Sequence, residues 1–185
     1  SKSALGFLTV VEHPQYGLFG GYLVLNNAGR PLEFHCTAPI KPNRAQQILY
    51  GPTLESFLYG EQIGQTLVNQ ASVPPLLICT DREPALAARE HISMPVVLVL
   101  PPEGETASEQ AGESGQVLRL DAAHHGGPRL VTFRLGRNRL ALPERADEDR
   151  RLIAERLADL AESFDLAEPF QRIRDAIEEA QQAVR

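Results

Sequence analysis

The sequence predicts a mixed α/β or α+β fold. Its sheet should combine an N-terminal antiparallel meander, one βαβ unit and a hairpin, and a C-terminal helical hairpin should follow. Three observations predict this fold: strand-like runs separated by turns at the start, two uninterrupted apolar runs near the middle, and helical periodicity at the end. Hydrophobic residues make up 43% of the chain and charged residues 23%, which is typical of a globular protein.

The meander is predicted from three runs rich in residues that favour strands. Residues 5–11 and 18–25 flank the turn-like sequence at 13–17, and residues 32–37 alternate between apolar and polar side chains. Successive side chains of a strand point to opposite faces, so this alternation assigns Leu32, Phe34 and Cys36 to the core. It assigns His35 to the more solvated face.

The βαβ unit is predicted from the apolar runs at 76–79 and 96–100. A short helix over 82–91 fits between them, and the connection is long enough to bring the chain back for a parallel neighbour. Strands that are apolar on both faces are expected in a parallel pair covered on both sides. The sequence therefore predicts that these two strands are parallel.

Two parts of the chain are distinguished by composition. Residues 1–142 are predicted to form a mixed α/β domain with a mobile acidic loop at 101–115, and residues 143–185 a C-terminal helical hairpin packed on the same domain. The apolar stripe of the second helix could instead contact a protein partner or a second copy of the chain. The residues assigned to that contact are Phe170, Ile173, Ile177 and Val184.

Charge and cysteine content exclude some classes. The net charge is −6, so the chain lacks the overall positive field of non-specific nucleic-acid binders. Its 2 cysteines, Cys36 and Cys79, are too few for a disulfide framework or a four-cysteine zinc site. Both are expected to be buried thiols in a reducing compartment, which predicts the cytoplasm. Neither a membrane span nor an export leader is expected from the sequence, and no cofactor is predicted.

The first candidate site follows the first strand of the βαβ unit. Ligands of open α/β sheets collect at the carboxyl ends of parallel strands, where Asp81 and Arg82 are expected to lie. Asp81 could act as a metal ligand or general base and Arg82 could hold an anion. Thr80 and Glu83 also match a capping box, and Asp81 is itself a good cap. The alternative is therefore that these residues only begin a helix.

A second candidate is the pair His124 and His125, which precedes two glycines. One of these imidazoles could assist Asp81, or the pair could bind a metal or a phosphate. Neighbouring residues of a strand point to opposite faces, and histidines in a turn are commonly solvated. The sequence therefore leaves both histidines as candidates for a catalytic or metal-binding role, with solvated turn residues as the alternative.

A third candidate is a basic segment near a predicted hairpin tip. No acidic residue lies between Asp121 and Glu144, and this stretch carries four arginines that could contact nucleic acid or another anionic partner. The alternative is that they neutralise the acidic C-terminal helices of the same chain. The four are Arg129, Arg134, Arg137 and Arg139.

The sequence contains no phosphate-binding glycine motif, paired-histidine zinc motif, serine elbow or Cys-x-x-Cys. Without such motifs, the leading hypothesis is a non-catalytic accessory or interaction subunit that acts through protein contacts. One alternative is a metal-dependent hydrolase or phosphoryl-handling enzyme with its site at the carboxyl edge of the βαβ unit. The other is an accessory nucleic-acid contact through the arginine hairpin.

Overall fold

A computed structural model describes residues 3–102, 117–118, 129–160 and 162–183. Within these residues, eight strands form one mixed sheet in the order β3-β2-β1-β4-β5-β8-β7-β6. The strands are β1 Ala4–His13, β2 Gly17–Asn26, β3 Pro31–Cys36, β4 Ile78–Thr80, β5 Val96–Val99, β6 Val117–Leu118, β7 Leu130–Leu135 and β8 Asn138–Pro143.

The strand pairing confirms the predicted fold class. β1, β2 and β3 form the antiparallel meander, and β4 and β5 form the predicted parallel pair. β4 is also parallel to β1, so β1, β4 and β5 all end at the same edge of the sheet. We call this the carboxyl edge. β7 and β8 form the predicted hairpin, whose turn contains Gly136 with a φ of 61°.

The connection between β3 and β4 is helical and covers one face of the sheet. It comprises α1 Arg44–Tyr50, a 3₁₀ turn Gly51–Thr53, α2 Leu54–Ser56, a π-helical segment Phe57–Gln65 and α3 Thr66–Gln70. A 3₁₀ helix, Glu83–Glu90, connects β4 to β5. A Cβ on Gly60 would lie 2.7 Å from the Ala87 Cβ, so this glycine lets the π-helical segment pack closely on the 3₁₀ helix. That packing brings Tyr59 to the start of the 3₁₀ helix.

The opposite face is covered by α4 Asp147–Leu157 and α5 Glu168–Ala183, the predicted C-terminal helical pair. Pro169 lies in the first turn of α5, where its missing N–H breaks no helical hydrogen bond. A Cβ on Gly21 would lie only 2.4 Å from the Ile173 Cγ2. The small residue in β2 therefore allows α5 to approach the sheet.

The apolar stripe of α5 packs within this chain. Phe170, Ile173 and Ile177 are buried with sheet residues such as Phe7 and Leu23 in one core. This corrects the assignment of these three residues to a partner, because a side chain buried against its own sheet has no surface left for another protein. Val184, the fourth residue of that set, lies outside the described residues.

β3 corrects the predicted faces of the third strand. Leu32, Phe34 and Cys36 are exposed, whereas Glu33 and His35 are partly buried. The Glu33 carboxylate accepts the backbone N–H groups of Ser72 and Val73 at 3.0 and 2.6 Å, which turns the polar face toward the helical connection. These hydrogen bonds lower the Glu33 pKa. The alternation was correctly located, but its inward face is the polar one.

Residues 103–115 of the predicted acidic loop lie outside the described residues.

Within the described ranges, every helix is either too short or too polar to cross a bilayer.

Candidate functional site

The carboxyl edge brings together residues that are far apart in the sequence. Leu8 of β1 pairs with Thr80, the last residue of β4, so Thr9 of β1 and Asp81, which directly follows β4, are neighbours. Phe7 and Cys79, which also pair, belong to the core beneath α5. Because side chains alternate along a strand, Thr9 and Asp81 lie on this α5 side of the sheet.

Thr9, Asp81 and Arg174 form what we call the Asp81 cluster. The Thr9 hydroxyl donates a hydrogen bond of 2.6 Å to Asp81 Oδ1, and Arg174 of α5 pairs with Asp81 Oδ2. Thr9 is completely buried. The side chains of Asp81 and Arg174 are 16% and 39% exposed. The carboxylate is thus fixed through both oxygens at a position that a solute can reach.

These contacts overturn the capping interpretation of Asp81. The residue before the 3₁₀ helix is Arg82, and no side-chain capping bond is made there. Thr80 Oγ1 accepts the backbone N–H of Arg82 at 3.1 Å, which shapes the turn after β4. Asp81 itself points to β1 and α5 rather than to the helix. Its role is therefore to join three elements at the carboxyl edge.

Glu12, Tyr59 and Arg82 form a second group, the Arg82 cluster. The Tyr59 hydroxyl donates to Glu12 Oε1 at 2.7 Å, and Arg82 Nη2 donates to the same oxygen at 3.0 Å. The Arg82 guanidinium also lies 5.7 Å from the centre of the Tyr59 ring. Burial, and then the hydrogen bond to Glu12, raises the pKa of Tyr59 to about 12. Tyr59 is therefore a neutral hydrogen-bond donor at physiological pH.

The two clusters lie on opposite faces of the same edge. Val10 belongs to the core beneath the helical connection, and Glu12 follows it two residues later on the same face of β1. Tyr59 comes from the π-helical segment, a rare form of helix that is frequent at functional sites. Asp81 and Arg82 are consecutive, so the chain after β4 contributes one side chain to each face.

The arginine hairpin ends at this same edge. β8 is antiparallel to β5, and the Leu100 N–H donates to the Arg139 carbonyl at 2.9 Å. The turn at 136–137 therefore lies at the carboxyl edge, with Arg134 and Arg139 paired beside it. β8 and β7 are two and three strands from β4, about 10 and 15 Å at the usual strand spacing. Arg129 lies at the other end of β7.

The structure separates the sequence candidates. Asp81 and Arg82 lie at the same edge but on opposite faces of the sheet, and three of the four hairpin arginines share this edge. His124 and His125 lie outside the described residues. Two acids of the C-terminal helices pair with arginines outside the hairpin, Asp149 with Arg89 and Glu168 with Arg172. Sequence reasoning missed Thr9, Glu12, Tyr59 and Arg174.

No known protein family and no curated protein matches the sequence. Among solved structures, the chain is similar to the catalytic domain of human Endonuclease V. The TM-score is 0.53 at 11% identity, and the match covers 98% of this chain and 85% of that one. Two DNA complexes of Ciona intestinalis Endonuclease V, both with an inosine followed by a ribo-adenosine, give TM-scores of 0.43 and 0.44. The first complex matches at 9% identity over 77% of this chain and 71% of the Ciona chain. The second matches at 10% identity over 97% of this chain and 88% of the Ciona chain.

The likeness to the human domain corrects the leading functional hypothesis. The hypothesis of a non-catalytic accessory subunit is contradicted by this finding, because the structure that this chain resembles over 98% of its length is a catalytic domain. At 11% identity the likeness establishes the fold alone. The function must be argued from the side chains at the carboxyl edge.

The sequence predicts a metal-ligand role for Asp81, and the surroundings of this carboxylate decide whether a divalent ion fits there. The described ranges contain no group of three or more His, Cys, Asp or Glu side chains arranged to hold a metal. Asp81 already accepts from Thr9 and pairs with Arg174, whose charge repels a second cation. The described residues therefore do not fit the metal-ligand role predicted for Asp81.

Proposed function

We propose that this chain is a nucleic-acid enzyme that binds a strand along the carboxyl edge and hydrolyses a phosphodiester bond there. The observation that carries the proposal is the Asp81 cluster, a carboxylate fixed through both oxygens beside an accessible arginine. The likeness of the fold to the Endonuclease V catalytic domain supports the choice of an enzyme acting on nucleic acid. We also propose that the protein acts in the cytoplasm, the location predicted from the sequence.

Binding is assigned to arginines spread along the edge. Guanidinium groups suit phosphate because their planar donors match two phosphate oxygens at once. Arg82 and Arg174 lie near Asp81, and their side chains are 36% and 39% exposed. The hairpin tip lies at the same edge, about 10 to 15 Å from β4. One nucleic-acid strand places several phosphates within that distance. A local basic edge can thus bind nucleic acid although the whole chain is acidic.

The chemical step is assigned to Asp81. A carboxylate has about four lone-pair sites, so the two described contacts leave Asp81 able to accept a hydrogen bond from water. The water oxygen attacks phosphorus, its proton passes to Asp81, and the bond from phosphorus to one ester oxygen breaks. That oxygen takes a proton from solvent. Thr9 and Arg174 hold the carboxylate in place while this occurs.

The experiment measures binding of a fluorescent single-stranded oligonucleotide by anisotropy over a range of salt concentrations. The triple variant Arg134→Ala, Arg137→Ala, Arg139→Ala removes the arginines at the hairpin tip, whereas Arg129→Ala removes one from the other end of β7 and is the control. The proposal predicts tight binding by wild type at low salt and a salt dependence whose log–log slope falls by up to about 3 in the triple variant.

Strand cleavage is measured on the same oligonucleotide by gel electrophoresis. The proposal predicts cleavage by wild type and its loss in Asp81→Asn. Absence of both binding and cleavage for DNA and RNA oligonucleotides would contradict the proposal. A triple variant with the same affinity and salt slope as Arg129→Ala would remove the hairpin from the binding surface.

A further inference from the structure

We infer that Arg174 is the fixed cation of this site and takes the place of a divalent metal ion, so that phosphate binding at Asp81 requires no metal. The inference rests on the proposed function and deepens it. It concerns what neutralises the substrate phosphate beside Asp81.

The positive charge beside Asp81 comes from a distant part of the chain. Arg174 reaches Asp81 from α5, which is 93 residues away in sequence, and pairs with Oδ2. Thr9 occupies Oδ1 from the other side. A metal ion ligated by one of the remaining lone pairs of this carboxylate would lie close to the guanidinium. Repulsion between the two cations opposes that arrangement.

Among the described residues, Asp81 has too few neighbouring ligands for a divalent metal ion. Divalent metal sites of oxygen type need several carboxylate, carbonyl or water ligands. Within the ranges that the structure describes, Asp81 is not joined by two further His, Cys, Asp or Glu side chains in such a group. Glu12 is on the other face of β1, where Tyr59 and Arg82 already share one of its oxygens. The second cluster therefore does not complete a metal site for the first.

Arg174 is accessible to a substrate. The Arg174 side chain is 39% exposed, and a guanidinium carries five N–H donors, more than one contact with Asp81 requires. Arg172, two residues earlier on α5, is a contrasting case. Its guanidinium donates to both oxygens of Glu168 and to the Gly29 carbonyl at the far edge of the sheet. Arg172 and Arg174 thus have similar exposure, but only Arg174 lies at the candidate site.

The experiment compares oligonucleotide affinity in EDTA and in Mg²⁺ at matched ionic strength. Wild type is expected to bind equally in both. Arg174→Gln is expected to bind about 10- to 100-fold more weakly, because a charge-assisted hydrogen bond is lost. Arg174→Lys keeps a cation and should retain most of the affinity, and the matched control Arg172→Gln should resemble wild type. Circular dichroism checks that each variant is folded. If Arg174→Gln does not fold, the comparison of wild-type affinity in EDTA and in Mg²⁺ still tests the inference.

A second measurement does not depend on nucleic acid. Electron paramagnetic resonance of Mn²⁺ added to the full chain reports directly whether the ion is bound. The inference predicts free Mn²⁺ only, and stoichiometric Mn²⁺ binding that is lost in Asp81→Asn would overturn it. Oligonucleotide binding by wild type in Mg²⁺ but not in EDTA would also overturn it, and so would equal affinities of Arg174→Gln and Arg172→Gln. Absence of binding in both buffers would instead contradict the proposed function.

Discussion

The Asp81 cluster and the Arg82 cluster each pair a carboxylate with an arginine, but they differ in burial. Asp81 is 16% exposed and rests on a completely buried hydroxyl, whereas the Glu12 side chain is 59% exposed. A polar group that is shielded from water depends on its partners, and an exposed ion pair contributes little because water and salt screen it. We therefore assign chemistry to the first cluster and substrate contact to the second.

The largest expected difference between the clusters is in cleavage. Asp81→Asn should lower the cleavage rate by about 100-fold or more, because the general base is lost. Glu12→Gln should lower it only about fivefold or less, the range of an exposed ion pair. Cleavage rates are measured with saturating oligonucleotide, so that weaker binding by a variant does not lower its measured rate.

Asp149→Asn is the matched control for that experiment. Asp149 also pairs with an arginine, Arg89, at 2.8 Å, and its side chain is 10% exposed, but the pair lies near the start of β5. The control should lose stability without losing cleavage. Equal rates for Asp81→Asn and Asp149→Asn would contradict the assignment of chemistry to Asp81.

The next difference is in stability, and Thr9→Val measures it. Valine keeps the shape but removes the hydroxyl that donates to Asp81, so the free energy of unfolding should fall by about 1–2 kcal/mol. Thr53→Val removes a hydrogen bond of the same length, 2.6 Å to the Tyr50 carbonyl, at an exposed site. It should cost about 0.5 kcal/mol or less. Urea unfolding measures both, and equal losses would show that the buried hydroxyl has no special role.

The last expected effect concerns Tyr59 of the Arg82 cluster and is confined to alkaline pH. Burial raises its pKa to about 12 from the usual tyrosine value of 10.0. The unfolded chain therefore loses this proton at lower pH than the folded chain. Any stability from keeping Tyr59 protonated is complete below about pH 10 and is lost as the pH rises toward about 12.

Tyr59→Phe removes this titration while leaving the other tyrosines in place. Urea unfolding between pH 9 and 12 should show a shallower loss of stability in the variant than in wild type, with the curves diverging above about pH 10. Parallel curves over this range would contradict the buried, hydrogen-bonded position of the Tyr59 hydroxyl.

Local sequence patterns predicted much of the fold and one residue of each cluster. The apolar runs at 76–79 and 96–100 predicted the parallel pair, and the position of Asp81 after the first run placed it at a ligand-binding edge. The face of Cys36 could not be predicted, because it depends on Glu33 accepting hydrogen bonds from residues about 40 positions away. The capping interpretation failed for a related reason, since local spacing cannot report a partner on another element.

The remaining site residues depend on long-range contacts. Thr9 and Arg174 are separated from Asp81 by 72 and 93 residues, and neither stands in a motif. Thr9 lies in an apolar strand and Arg174 in a highly charged helix, so each residue suits its own surroundings. The hairpin arginines were found as a charge cluster, but their shared edge with Asp81 follows from β8 pairing antiparallel to β5.

The most direct test of the assignment to the carboxyl edge is an NMR titration of the isotope-labelled full chain with a short oligonucleotide. Binding at this edge predicts shifts concentrated at Asp81, Arg82 and Arg174 and at the hairpin turn 136–137. Shifts confined to the opposite edge, at the β2–β3 turn around Gly29 and at the Arg89–Asp149 pair, would contradict it.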